Sequence, residues 1–307
     1  MNCHSKLKLH FVIIFALCSA NFCFAYEIEL QKESDSSNQE KKYAPPAFTT
    51  LQIGNLQSTT MADKKDLHLV VAHRFGSIRG GIKELFGLDQ ANTKIQLLYG
   101  ISNRIQLGVS RDSYEKTYSG TTKYRILKQS ENKLVNIVFY GSLDINTLLN
   151  KRNYPGLRFG DRLSYTSQLL VSRRFSPKLS LQIAPILVRQ NLVDLNYQKS
   201  PMHNFLNVGL GGRYKVSKRM SLNLDYVYNA FSFDITNNGI STNIGSISNS
   251  LYKNPLTIGI DIETGGHVFQ LLFTNSRASN DSSFLTETTG DWSKGEISFG
   301  FNIVRVF

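Results

Sequence analysis

The dominant feature of this sequence is an alternation of apolar and polar residues that runs from Leu67 to Phe307. In residues 256–263, for example, Leu or Ile occupies every second position, and Thr, Gly, Asp and Glu lie between them. A period of two is typical of β-strands with one apolar face. The alternation predicts twelve strands, at residues 67–75, 93–100, 104–112, 120–128, 134–143, 161–175, 179–190, 204–217, 220–233, 254–263, 267–276 and 295–307.

The connections between these strands alternate between short and long. A short connection follows each even-numbered strand, whereas the others are long except for 113–119. In an outer-membrane barrel, short turns face the periplasm and long loops face outside. An even number of strands also returns both chain ends to one side. We therefore predict an all-β fold, an antiparallel transmembrane β-barrel of about twelve strands with short periplasmic turns and longer outer loops.

The composition agrees with a barrel and excludes a helical membrane protein. Mean hydropathy is −0.21, and no segment after the first thirty residues approaches the 18 apolar residues that a spanning helix needs. The average hydropathy of a barrel resembles that of a soluble protein, because its strands alternate. A soluble periplasmic β protein is the alternative, although its strands are usually shorter and its turns less asymmetric.

The N-terminus predicts export. Lys6 and Lys8 precede an apolar core at 11–18, and Ala25 ends a cleavage triplet, which together are typical of a secretory signal peptide. We assign residues 1–25 to the signal peptide, 26–66 to a polar periplasmic arm and lead-in, and 67–307 to the outer-membrane barrel. Within the lead-in, 47–66 are expected along the mouth of the barrel.

All three cysteines precede residue 26, which excludes disulfides and thiolate catalysis from the exported chain. The net charge of +12 can indicate nucleic-acid binding, but an exported chain meets none, so we expect no nucleic-acid partner. Outer-membrane lipids are the expected partners instead. The last strand ends in Phe307, with Phe299 and Phe301 in the same register. A terminal aromatic strand resembles the signal that the barrel-assembly machinery reads.

Several motifs in the N-terminal half resemble a family of membrane bound β-barrels of unknown function. They are His73-Arg74-Phe75-Gly76, the run 85–91 with Phe86 and Asp89, and Tyr99-Gly100-Ile101. The resemblance extends over 48–307 and is most specific in 72–129. It implies a barrel in the outer membrane of a Gram-negative bacterium, and it carries over no activity, substrate or catalytic residue.

The connection 76–92 is a candidate for a constriction of the lumen. Gly80 and Gly81 permit tight backbone geometry, and Ile82, Leu85 and Phe86 have helical spacing. The segment is expected to fold into the lumen, to present a ligand surface or to pack on the rim. Beside it, Arg74 is expected to bind phosphate or to pair with a carboxylate, such as Asp89 or Asp112.

The predicted inward positions carry charges of both signs in similar number. A selective pore would show rings of one sign, so this mixture favours a narrow or filled lumen. The candidate lumen or loop residues are His73, Arg74, Phe75, Gly76, Phe86, Asp89, Lys123, Arg125 and Arg213.

No motif indicates catalysis. The chain has no Gly-x-Ser-x-Gly elbow and no His, Asp and Glu set with metal-ligand spacing, so we predict neither a cofactor nor enzymatic activity. The leading hypothesis is a narrow channel or a scaffold for a periplasmic or surface protein. A lipid-modifying barrel enzyme is the alternative within the membrane.

Overall fold

The computed structural model describes residues 43–152, 154–192, 203–236, 239–244 and 252–307, with the backbone alone described for 234–236 and 239–244. The predicted signal peptide and the first part of the predicted arm lie outside these residues. The strands are β1 Leu67–Ser77, β2 Ala91–Gly100, β3 Ile105–Asp112, β4 Thr117–Leu127, β5 Asn136–Asn146, β6 Leu163–Arg174, β7 Leu179–Gln190, β8 Asn204–Lys215, β9 Met220–Thr236, β10 Gly239–Ile244, β11 Leu256–Thr264, β12 His267–Thr274 and β13 Ser298–Val306.

Twelve of these strands form a closed antiparallel barrel, which confirms the predicted fold class. Each pairs with its neighbours along the chain, and β13 returns to pair with β1 through Val70↔Val304 and Ala72↔Asn302. Strand β9 pairs with both β8 and β11. The short strand β10 pairs with the far part of β9 and extends that hairpin beyond the wall.

The wall is polar on its inner face and apolar on its outer face. In β3, Leu107 and Val109 are 47% and 61% exposed, whereas Gln106 and Ser110, which flank this pair, are buried. A soluble protein would bury the apolar residues instead. Apolar residues exposed around the outside of a closed barrel are suited to contact with lipid. Closure of the barrel also meets the requirement that, in lipid, every backbone N–H and C=O group of the wall be hydrogen-bonded within the protein.

The two ends of the barrel differ. One end, called the turn end, has the short connections together with Leu67 and Phe307, whose backbones are hydrogen-bonded to each other. The other end, called the loop end, has the long connections. These include Ile78–Gly87, which has 3-10 turns interrupted by non-helical backbone, and the short helix α1, Asp281–Thr286. Within the described ranges, no helix is long and apolar enough to cross a membrane.

Candidate functional site: a lumen filled from both ends

Residues 47–62, called the plug, fill the lumen from the turn end. The chain enters beside the β4–β5 turn, where the Ala44 amide donates to the Gln129 carbonyl over 3.0 Å. It leaves by the same end, where the Lys65 amide donates to the Gly100 carbonyl over 2.7 Å. Phe48, Ile53 and Leu56 are almost completely buried between these points. The expectation that this segment lies along the mouth is therefore wrong.

Lys123 on β4 holds both arms of the plug. Its ammonium group donates to the carbonyls of Leu51, Ser58 and Thr60 at 2.7, 2.8 and 3.0 Å, and its side chain is 1% exposed. Hydrogen bonds from a charged donor are stronger than neutral ones. They matter here because the plug has no regular secondary structure to satisfy its own backbone. Lys123 therefore replaces the missing backbone partners of the plug.

The tip of the plug is held at the strand pair that closes the barrel. Arg74 on β1 donates from Nη2 to Asn55 Oδ1 over 2.7 Å and from Nη1 to Asn302 Oδ1 on β13 over 2.9 Å. Asn302 in turn donates to the Gly54 carbonyl over 3.2 Å. On the other side of the tip, the Asn55 amide donates to Asp225 over 3.0 Å. The plug tip is thus clamped between β1, β13 and β9.

Glutamine side chains from the wall satisfy further plug groups. Gln182 donates to the Gln57 carbonyl over 2.7 Å and accepts from the Thr59 amide over 3.1 Å. Gln270 donates to the Ile53 carbonyl over 2.9 Å. These contacts come from β7 and β12, so together with Lys123 the polar support of the plug surrounds it.

One side of the lumen is apolar and accommodates the plug by shape. Ile53 and Leu56 belong to a buried cluster with Ile186 of the wall. Gly209 and Gly211 on β8 provide the space for them. A Cβ at Gly211 would lie 2.2 Å from Ile53 Cδ1, and one at Gly209 would lie 3.0 Å from the Leu56 methyl groups. Side chains at these two positions would displace the plug tip.

A second segment, residues 276–288, fills the lumen from the loop end and is called the loop insert. It contains α1, which begins after Asn280, whose side chain accepts from the Ser283 amide. Asp112 on β3 accepts from the Ser279 and Asn280 amides at 3.0 and 2.8 Å. Lys94 on β2 donates to the Ser279 carbonyl over 2.9 Å. The wall therefore anchors the insert by the same side-chain-to-backbone contacts that anchor the plug.

The plug and the loop insert meet at Asp281. Its carboxylate accepts from Gln57 of the plug over 3.1 Å and from the Tyr140 hydroxyl of the wall over 2.7 Å. Tyr140 and Asp281 are both buried. This contact joins the two inserted segments, so the described residues leave no wide passage through the barrel.

The predicted constriction at 76–92 lies outside the lumen. Ile82, Leu85 and Phe86 are 83%, 53% and 52% exposed. Leu85 and Phe86 have positive φ angles of 43° and 54°, which interrupts the helical geometry that their spacing predicted. Asp89 is also exposed. The expectation of a lumenal constriction here is wrong, and the segment lies at the rim of the loop end.

The other candidate residues divide between the two faces of the wall. Lys123, Arg74 and Arg213 point inward, and Arg213 bonds Ser221 over 3.1 Å and Glu263 over 3.4 Å. Arg125 lies at the turn end, where it donates to the Asn103 carbonyl over 2.6 Å.

His73 and Phe75 point outward. The His73 ring stacks on Phe301 with a centroid distance of 5.2 Å, and the Phe75 ring stacks on Phe299 at 5.7 Å. Gly76 ends this run, and its amide donates to the Gln90 carbonyl over 3.0 Å. These rings form an aromatic band near the loop end of the lipid-facing surface.

Arg74 forms no hydrogen bond with either expected carboxylate, although Asp112 is close enough to attract it electrostatically. Its hydrogen bonds go to Asn55, Asn302 and two backbone carbonyls, whereas Asp112 accepts from the loop insert and Asp89 is exposed. The sequence pattern did not single out Asn55 or Asp281. The one available signal was the set of large amides at inward positions, such as Gln182 and Gln270, which indicates a lumen with contents to bind.

The fold and the filled polar interior define a transmembrane β-barrel. The chain belongs to the Membrane bound beta barrel domain family, because the sequence model of that family matches residues 48–307. That match includes the plug, so the plug segment is part of the family's shared region. No curated protein matches the chain. In the described part of the chain, no group of three or more His, Cys, Asp or Glu residues could hold a metal ion.

Solved structures with similar folds are barrels of low sequence identity. The NanC porin aligns over 78% of this chain and 98% of its own, with 8% identity and a TM-score of 0.47. An outer membrane channel from Pseudomonas putida F1 aligns over 89% and 100%, with 12% identity and a TM-score of 0.46. The outer membrane protein Omp33 of Acinetobacter baumannii aligns over 80% and 99%, with 10% identity and a TM-score of 0.38.

Proposed function

We propose that this protein is a non-enzymatic narrow channel of a Gram-negative outer membrane, closed by its plug and opened when the plug leaves the lumen. In this proposal the turn end faces the periplasm, and the loop end faces outside. The proposal follows the usual sidedness of short turns and long loops in such barrels.

The observation that carries the proposal is the polar wall behind the plug. Gln106, Gln182, Gln270 and Asn302 are buried by the plug, and each of these side chains can bond water equally well. A barrel filled only for stability would be expected to use apolar contacts, since buried polar groups stabilise little. A wall that can be hydrated without the plug suits a lumen that opens.

The attachment of the plug also supports movement. Both its arms pass through the turn end, so it can withdraw to that side without threading through the barrel. Its polar contacts with the wall are side-chain hydrogen bonds, and its apolar contacts form two separate clusters, one around Ile53 and Leu56 and one in which Leu51 packs against β1, β2 and β13. A periplasmic protein that binds the chain before residue 43 is the partner that this geometry suits.

A scaffold role is the second candidate, and the exposed segment at the loop end supports it. Ile82, Leu85 and Phe86 present apolar surface where the barrel meets the outer leaflet. Such a patch suits a lipid or a surface protein. His73 supports a non-enzymatic barrel, because it stacks among lipid-facing rings instead of facing a lumenal nucleophile.

Single-channel recording in planar bilayers tests the proposal. The intact protein should conduct little, and replacing residues 48–60 by a short Gly-Ser linker should produce stable open steps. Gly211→Leu, which displaces the plug tip without changing charge, should produce intermittent openings. The control is deletion of 77–90, which should leave conductance low.

Closed traces from the linker variant, with its barrel intact by heat-modifiable migration, would refute the channel. A scaffold would then be the better interpretation. Large open channels from the intact protein would refute closure by the plug.

A further inference from the structure

The turn end of the barrel is strongly basic. Its short connections carry six Lys or Arg residues against a single Glu, over 101–104, 128–135, 175–178, 216–219 and 265–266. The described parts of the long connections at the loop end are nearly balanced, with ten Lys or Arg residues against eight Asp or Glu. A surface with one sign of charge attracts partners of the opposite sign. The turn end is therefore the face of the barrel that fits an anionic partner.

Two arginines at this end lie on the outer face of the wall, among the lipid-facing residues. Arg305 on β13 pairs across the strands with Leu69 of β1 and His267 of β12. Arg173 on β6 pairs with Leu181 of β7. Strands β13 and β6 are six strands apart in the closed barrel. The two arginines therefore lie on opposite sides of the turn end.

Each of these guanidinium groups lies over an exposed aromatic ring. Arg305 Cζ is 4.6 Å from the centre of the Phe307 ring, and Arg173 Cζ is 4.9 Å from the centre of the Phe175 ring. Long cationic side chains at a membrane boundary keep their charge at the level of the headgroups, while their stems and neighbouring rings contact the apolar interior. The two pairs have this arrangement, because both rings are exposed next to the lipid-facing surface.

Neither arginine has a partner for its charge within the described ranges. No carboxylate forms an ion pair with either guanidinium group, and neither group donates a hydrogen bond. Arg125 and Arg174 at the same end, in contrast, donate to carbonyls of the turns. A guanidinium group with unused N–H donors can bind a phosphate through two parallel hydrogen bonds. Arg173 and Arg305 are therefore the positions at this end where a phosphate fits.

We propose that the turn end binds anionic phospholipids at two sites. Each phosphate is held by Arg173 or Arg305, and the acyl chains pack against Phe175 or Phe307. The basic turns around these sites attract the net charge of the headgroup. An acidic protein fits less well, because both arginines occupy outer-face positions, which lipid covers in a membrane-spanning wall. This inference does not depend on the plug's being a gate.

Native mass spectrometry of the purified full-length protein in detergent tests the proposal. The probes are dioleoylphosphatidylglycerol, which is anionic, and dioleoylphosphatidylcholine, which has the same acyl chains and no net charge. We expect the protein to retain two molecules of phosphatidylglycerol. It should bind them at least about tenfold more tightly than phosphatidylcholine, because the basic turns repel the quaternary ammonium group of the neutral lipid.

Arg305→Gln and Arg173→Gln should each leave one retained molecule of phosphatidylglycerol, and the double variant should bind the two lipids about equally. Lys151→Gln removes one charge from an exposed position of the loop end and is the matched control, which should bind like the parent protein. Heat-modifiable migration confirms that each barrel has folded. If Arg305→Gln does not assemble, Arg173→Gln alone decides, and two retained molecules in that variant would overturn the proposal.

Two soluble competitors separate the lipid from other anions. Glycerophosphoglycerol has the headgroup without the acyl chains, and hexaglutamate represents an acidic protein segment. Neither should displace phosphatidylglycerol at equal concentration. Displacement by glycerophosphoglycerol would overturn the proposal in favour of a soluble phosphate diester, and displacement by hexaglutamate would overturn it in favour of an acidic protein. Equal binding of the two lipids by the parent protein would also overturn it, as would an unchanged preference in the double variant.

Discussion

Replacing Lys123 by Met should loosen the plug without changing the wall. The substitution keeps an unbranched side chain of similar length and removes the donor that three plug carbonyls share. The Leu51 carbonyl retains a bond from the Ser58 amide at 3.1 Å. The Ser58 and Thr60 carbonyls lose the partner that the described contacts give them.

The size of the effect follows from those two carbonyls. A buried acceptor left unpaired costs about 1 to 3 kcal/mol, so docking of the plug should weaken by about 2 to 6 kcal/mol. Since every 1.4 kcal/mol is a factor of ten, even the lower end raises the undocked fraction roughly thirtyfold. The barrel wall itself should stay intact, because its ladder bonds do not involve the Lys123 side chain.

Cysteine labelling measures this fraction. The chain has no cysteine after residue 25, so in protein produced without residues 1–25 the substitution Ala47→Cys introduces a single thiol at a position that is 1% exposed. When plug closure is faster than labelling, the maleimide reaction rate is proportional to the undocked fraction. Lys123→Met should raise that rate at least about thirtyfold, while Lys178→Met, in an exposed turn, should not. Equal rates in both variants would refute the anchoring role of Lys123.

Three further outcomes follow from the described contacts. Asp281→Ala leaves the Tyr140 hydroxyl and the Gln57 amide without their shared acceptor, and it should lower the free energy of unfolding by about 2 to 5 kcal/mol, measured by urea titration of Trp292 fluorescence. Phe307→Asp should reduce insertion into the outer membrane, and wild-type amounts of heat-modifiable barrel would contradict this. Deletion of 77–90 should not increase conductance, because that segment is exposed at the rim. An increase would show that the segment narrows the lumen.

The strands of the wall could be predicted because they depend on the pattern of neighbouring residues in the sequence. Alternation fixes which face of each strand meets lipid, so residues such as Leu107 and Gln106 could be assigned to opposite faces from position alone. The alternating loop lengths then fixed the order of turns and the closure of the sheet. All twelve barrel strands were predicted, with ends that shifted by a few residues.

The filling of the lumen was not predictable in the same way. The apolar residues of the plug, Phe48, Leu51, Ile53 and Leu56, follow neither a period of two nor one of 3.6. The side chains that bond the backbone of the plug, such as Asp225 at Asn55, lie far away along the chain. Conversely, Ile82 and Phe86 have helical spacing, but positive φ angles at Leu85 and Phe86 interrupt the helix, and both apolar side chains are exposed. Local pattern cannot distinguish a segment that is buried by distant partners from one that is not.

The clamp on the plug tip has a consequence for the order of assembly. Gly54 bonds Asn302 across 248 positions of sequence, and Asn302 lies on the last strand of the barrel. The plug precedes β1 in the chain, yet its tip cannot complete its contacts until β13 arrives beside β1. Because such a contact requires a very long loop closure, it belongs to a late step of folding. The plug therefore completes its contacts only when the barrel is sealed, and the last strand of the chain holds in place a segment that precedes the first strand.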